Sequence, residues 1–115
     1  MLRGNIYMAV LPMDKGSVQG GMRPVIIVQN NLGNTHSPTV QVIPLTSQKK
    51  KEMPVHTVIS GCGLRTESVV LTEQLTTINK TSLRNYLGTA DDEMMERVDH
   101  CIAIQLGLVN SLTLQ

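Results

Sequence analysis

The sequence predicts an α+β fold that is mainly β: a small, strongly bent antiparallel sheet or barrel with one helix near the C-terminus. Three observations carry this. Short β-rich runs bounded by turn residues recur from Asn5 to Ile78. One long stretch, after Thr89, has helical periodicity. Hydrophobic residues make up 41% of the 115 positions but aromatics only 2%, so the core must be built from Val, Ile, Leu and Met. The length fits a single domain, 1–115.

The elements follow in order. Asn5–Leu11 is a β-rich run ended by Pro12. Met13 to Met22 is a loop, and its glycines Gly16, Gly20 and Gly21 permit positive φ or a close backbone approach. Val25–Asn30 is nearly all apolar, which predicts a strand buried on both faces. Asn30 to Asn34 carries turn chemistry. Thr39–Thr46 is the next strand, and Pro44, with no N–H, points to a sheet edge or a strand end. Ser47 to Met53, with Lys49, Lys50 and Lys51, reads as an exposed loop, and His56–Ile59 as a short strand. A turn at Gly61–Leu64 leads to the last long strand, Ser68–Ile78. Asn79 is placed to cap a short helical turn through Leu83. In the helix Thr89 is the expected N-cap, with Asp92 as its capping-box partner. Asp91, Asp92 and Glu93 put negative charge at the positive end of the dipole. Met94, Val98, Ile102 and Leu106 form one apolar face, and Gly107 ends the helix.

Composition narrows the function classes. No apolar run reaches the roughly 18 residues that span a bilayer, and no signal-peptide core follows Met1. A soluble, cytoplasmic protein with no membrane association is expected. Cys62 and Cys101 are far apart and outside any CxxC pair, which favours two core thiols over a disulfide or zinc. Net charge is +1 but unevenly spread: residues 1–65 carry seven Lys or Arg against two acids, and residues 66–115 three against seven. One half can attract phosphates, or both are ordinary solvated surface.

No Walker loop, GxSxG or HExxH is present, and His36, His56 and His100 have no metal-ligand spacing. These histidines read as surface or satisfied residues. What remains is a set of polar residues at strand ends and loops: Gln19, Arg23, Thr46, Ser47, Gln48, Glu73 and Gln74. Arg23 stands out among them. It follows Gly20-Gly21 and precedes Pro24, which forces it into an extended conformation and so aims its side chain beside the glycine loop.

In order along the chain, several segments resemble the MazF/PemK endoribonuclease toxins. They are Arg3-Gly4-Asn5-Ile6-Tyr7, Gln19 to Val25 with Gln29-Asn30, Ser37 to Val40 with Leu45-Thr46-Ser47-Gln48, Ser68 to Leu75 with Thr77-Ile78, and Asp91 to Met95 through Leu108. The resemblance implies an SH3-like barrel of the CcdB/MazF kind with a C-terminal helix, a homodimer, and no metal or other cofactor. It implies cleavage of single-stranded RNA by attack of the 2′-OH on the adjacent phosphate, and a cognate antitoxin as partner. It makes Arg23 and Thr46 the catalytic pair, with Gln19, Gly20, Gly21, Ser47, Gln48, Glu73 and Gln74 binding RNA. The chain departs from the family's usual acid at Val18, and from a common arginine and aspartate at Thr76 and Asn79. The alternative is therefore a non-catalytic barrel of the same fold that binds RNA or protein.

Overall fold

The computed structural model describes residues 1–12 and 20–110. Among the described residues there are seven strands: β1 (Asn5–Leu11), β2 (Gly21–Ile27), β3 (Thr39–Thr46), β4 (His56–Ile59), β5 (Ser68–Leu71), β6 (Thr76–Asn79) and β7 (Leu83–Thr89). Two helices accompany them, α1 (Asn31–His36) and α2 (Asp92–Gln105). All strand pairings are antiparallel, in the order β4-β5-β3-β2-β1-β7, and β6 also pairs with β3. Both faces of the central strands are buried, as the apolar run 25–28 predicts. Ile6, Ile26 and Ile43 pack on one face with Val98 of α2; Ala9, Val25, Ile27 and Val42 pack on the other with Ile78. Period-two alternation sends adjacent residues to opposite cores.

Several expectations are corrected. Ser68–Ile78 is not one strand: a 3₁₀ turn at Thr72–Gln74 divides it into β5 and β6. Both halves still pair with β3. A step of three residues on β3, from Leu45 to Val42, meets a step of six opposite, from Val70 to Thr76. The extra residues act as an enlarged bulge, and bulges bend the strand that carries them. Pro44 is not at an edge; it is buried, pairs with Val25, and lies where β3 changes partner from β6 to β5. A residue without an N–H fits a point where one side of the ladder is interrupted.

The turn at 30–34 is the start of α1, because Asn30 Oδ1 accepts from the Gly33 N–H at 2.8 Å and caps it. Thr89 is not the N-cap of α2. Asp91 is, accepting from the Met94 N–H at 2.8 Å, while Thr89 ends β7 and bonds Asn5 and Tyr86. The helical turn after Asn79 is a 3₁₀ turn at Lys80–Ser82, made without an Asn79 side-chain cap, and Leu83 already belongs to β7. Val98 is buried and Met94 and Ile102 are partly buried, as the apolar stripe requires, but Leu106 is 56% exposed beyond the helix end. Gly107, at φ +73°, stops the helix.

The two ends of the strand path meet at a seam of backbone on backbone. The turn after β4 presses on β7: a Cβ on Gly63 would stand 1.9 Å from the Leu87 oxygen, and one on Gly88 2.2 Å from the Cys62 oxygen. This contact folds the open sheet toward a barrel. Arg97 adds a second tie, donating from α2 to Thr57 Oγ1 and the Val58 carbonyl of β4 at 3.1 and 3.0 Å.

Candidate functional site

The seam also builds a groove. Arg23 from β2, Leu45 at the end of β3, Ser47, the turn residues Leu64 to Thr66, and Leu87 of β7 line a hollow of about 490 Å³. Pro24 keeps Arg23 in the strand, paired with Ala9 of β1. The Gly20 carbonyl accepts from Arg23 Nε at 3.3 Å and holds one edge of the guanidinium. The other nitrogens have no partner among the described residues. Gly21, at φ +76°, opens the strand with a backbone conformation that an L side chain resists.

Arg65 is the residue that sequence reasoning missed. It lines the same groove, is exposed, and forms no ion pair among the described residues. Nothing in its local sequence marks it; only the turn packed against β7 brings it opposite Arg23. No Asp or Glu among the described residues lines this groove. Two guanidinium groups with the Ser47, Thr66 and Ser68 side chains therefore make a local positive field suited to a phosphate.

Thr46 lies between two groove-lining residues, Leu45 and Ser47, but is itself only 1% exposed. Its Oγ1 accepts from the Gln48 N–H at 3.2 Å, which leaves the hydroxyl proton free to turn to another acceptor. Ser47 and Thr66 continue into a second, wider hollow of about 910 Å³, lined by Gln48 and the three lysines 49–51. A third hollow of about 190 Å³ shares Lys50, Lys51 and His56 with the second and is walled by Glu73 and Gln74. Arg23, Ser47, Gln48, Glu73 and Gln74 thus fall along one continuous run of grooves. Gln19 and Val18 lie outside the described residues.

His56 differs from the other two histidines. His36 and His100 are exposed. The His56 side chain is 8% exposed, its Nε2 stands 2.8 Å from Glu73 Oε1, and its Nδ1 is buried without a partner among the described residues. An ionised carboxylate can only accept, so Nε2 carries the hydrogen. Cys62 and Cys101 are free thiols, both with pKa raised by burial; Asp91 adds to the rise at Cys62, and Arg97 opposes it at Cys101. Among the described residues no three His, Cys, Asp or Glu side chains group as metal ligands, and no helix is long and apolar enough to cross a membrane.

Comparison with known proteins identifies the family. Residues 2–106 match the model of the PemK-like, MazF-like toxins of type II toxin–antitoxin systems. The chain is 42% identical over 111 residues to endoribonuclease EndoA of Bacillus subtilis, covering 94% of this chain and 96% of that protein. It is 43% identical over 111 residues to endoribonuclease MazF of Staphylococcus saprophyticus, covering 94% and 92%. A mycobacterial endoribonuclease solved in complex with its cognate antitoxin superposes with TM-score 0.78 at 28% identity, covering 95% of this chain and 97% of that one. The bent sheet with its C-terminal helix is the fold of those toxins. On all of these grounds the chain belongs to the PemK/MazF family of type II toxins and is an endoribonuclease of that family.

Proposed function

We propose that this endoribonuclease cuts single-stranded RNA in the Arg23 groove by transesterification that needs no metal. The 2′-OH of one nucleotide attacks its own 3′-phosphate. The P–O5′ bond breaks, leaving a 2′,3′-cyclic phosphate and a 5′-OH; the 2′-hydroxyl proton is lost and a proton reaches the leaving oxygen. Negative charge gathers on the non-bridging oxygens in the transition state. Arg23 is held by the Gly20 carbonyl, and its remaining N–H groups have no partner among the described residues, so it is pre-aimed for those oxygens. Arginine stays protonated in proteins, so its role is electrostatic. The Thr46 hydroxyl donates to a phosphate oxygen or orients the 2′-OH. Dependence on the 2′-OH makes RNA, and not DNA, the substrate. Ser47, Gln48, Glu73 and Gln74 bind the flanking nucleotides, and Gln19, Gly20 and Gly21 complete the RNA-binding set.

The single observation that carries this reading is the groove itself: two guanidinium groups and three hydroxyl-bearing residues, with no described carboxylate among them. The partner is a cognate antitoxin that covers the groove, in line with the mycobacterial relative solved with its own antitoxin. The working form is a homodimer in the cytoplasm. An exposed apolar pair, Val10 and Met22, paired across β1 and β2, offers surface for the second copy. The test is to incubate the purified protein with a long, weakly structured RNA in excess EDTA and map the ends. Cuts at a short recurring sequence with 5′-OH ends, abolished in Arg23→Ala and Thr46→Ala, are expected. A folded dimer that binds but does not cut would support the non-catalytic barrel instead.

A further inference from the structure

We infer that the His56–Glu73 pair is a base-reading element, selecting an unpaired nucleotide that carries an exocyclic amino group, cytosine above uracil. Glu73 binds the base edge, and His56 is the positioning residue behind it. The inference rests on the RNA-cleaving reading above and names which bases that groove accepts.

Four observations converge. Glu73 follows β5 on the 3₁₀ turn that splits the long strand, so the extra residues in the ladder bring its carboxylate to the wall of the third hollow. Its side chain is 33% exposed, whereas the His56 ring that holds it is 8% exposed. The 2.8 Å bond from His56 Nε2 engages Oε1, and Oε2 has no partner among the described residues in a side chain that lines the hollow. Among the described residues no lysine lies within ion-pair distance of Glu73, although Lys50 and Lys51 line the same hollow.

A free carboxylate oxygen in a fixed direction is an acceptor and nothing else. It rewards an amino group, such as N4 of cytosine, and repels the O4 carbonyl that uracil presents at the same place. Phosphates would suffer from the same negative charge, and Lys50 and Lys51 offset it along the backbone path. Met53, 41% exposed on the wall of the same hollow, offers a soft apolar surface to the base in a chain with no aromatic there.

The orphaned Nδ1 of His56 points the same way. A buried nitrogen left without a partner costs stability that a purely structural residue has no reason to bear. A leucine at 56 would fill the space without that cost, but it would release Glu73.

The experiment compares binding of fluorescent 2′-fluoro oligocytidine and oligouridine to the whole protein. These probes lack the 2′-hydroxyl nucleophile, so affinity is read whether or not the protein cuts RNA. They are matched in size and backbone and differ only at the base edge. Oligocytidine is expected to bind roughly tenfold tighter, the scale of one charge-assisted hydrogen bond. Glu73→Gln should erase or invert the ratio, since its amide can donate to O4 of uracil. His56→Leu should bring it to within about threefold, and His56→Gln, which restores an N–H donor to Glu73, should recover part of it. Equal binding of the two probes by the wild type, a ratio unchanged in folded Glu73→Gln, or no binding of either probe would each overturn the inference. A strong cytidine preference in a protein that cuts no RNA would overturn only the catalytic reading.

Discussion

Alanine at Gly63 is expected to be the most damaging single-methyl addition in the seam that closes the sheet. A Cβ there would stand 1.9 Å from the Leu87 oxygen and 2.4 Å from the Leu87 carbonyl carbon, both backbone atoms that cannot rotate away. Either the turn or β7 must move. Overpacking of a rigid contact costs roughly 1–3 kcal/mol. Gly63 also sits at φ +85°, where a Cβ adds roughly 1–2 kcal/mol. The sum, roughly 2–5 kcal/mol, is a large share of the 5–15 kcal/mol that typically holds a domain folded. Two neighbouring glycines separate the parts. Gly61, at φ +69° with nothing within 4 Å of its Cβ, isolates the backbone part, so Gly61→Ala should cost roughly 1–2 kcal/mol. Gly88 has no positive φ but would meet the Cys62 oxygen at 2.2 Å, so Gly88→Ala isolates the steric part at roughly 1–3 kcal/mol. Urea unfolding of the full chain, followed by circular dichroism, ranks the three. Gly63→Ala within about 1 kcal/mol of wild type, or milder than Gly61→Ala, would refute the seam as the element that closes the barrel.

Further outcomes are expected elsewhere. Thr46→Val keeps the volume of a side chain that is 1% exposed and removes only its hydroxyl; RNA cleavage should fall roughly a hundredfold or more while the unfolding midpoint moves little. Replacing Lys49, Lys50 and Lys51 by Gln should weaken RNA binding and flatten its salt dependence, by roughly 0.7 in the log–log slope for each lysine that meets a phosphate. Asp91→Ala should cost about 1 kcal/mol through loss of the α2 cap, and Asp91→Asn much less, as thermal unfolding would show. Cys62 and Cys101 should alkylate slowly at neutral pH, because burial raises both thiol pKa values. Their raised pKa contributes stability that is present below the unfolded thiol pKa and lost as pH rises through the folded value, so denaturant midpoints should fall in alkaline buffer and recover in the Cys→Ala double variant.

Much of the fold was legible in residues close together in the chain. β1, β3 and β4 match their expected bounds because alternation, Pro12 and the flanking turns are local signals. The helix and its stop at Gly107 were legible for the same reason. Arg23, residues 46–48 and residues 73–74 carried recognisable segments, and so the family and its endoribonuclease activity could be read from sequence alone. Other features depend on which strand lies opposite which. Ser68–Ile78 is uniformly strand-like, and only its pairing along β3 shows that three extra residues must be accommodated at Thr72–Gln74. Pro44 sits in the middle of the sheet because two different strands share one side of β3, an arrangement no local rule contains. Arg65 faces the Arg23 groove only because Gly63 and Gly88 let two backbones touch. His56 and Glu73 are seventeen residues apart and meet through the β4–β5 pair. Local periodicity and turn chemistry determined the elements, since those forces act over a few residues. The site's full charge pattern was decided by tertiary contact, since electrostatic partners are set by distance in space and not along the chain.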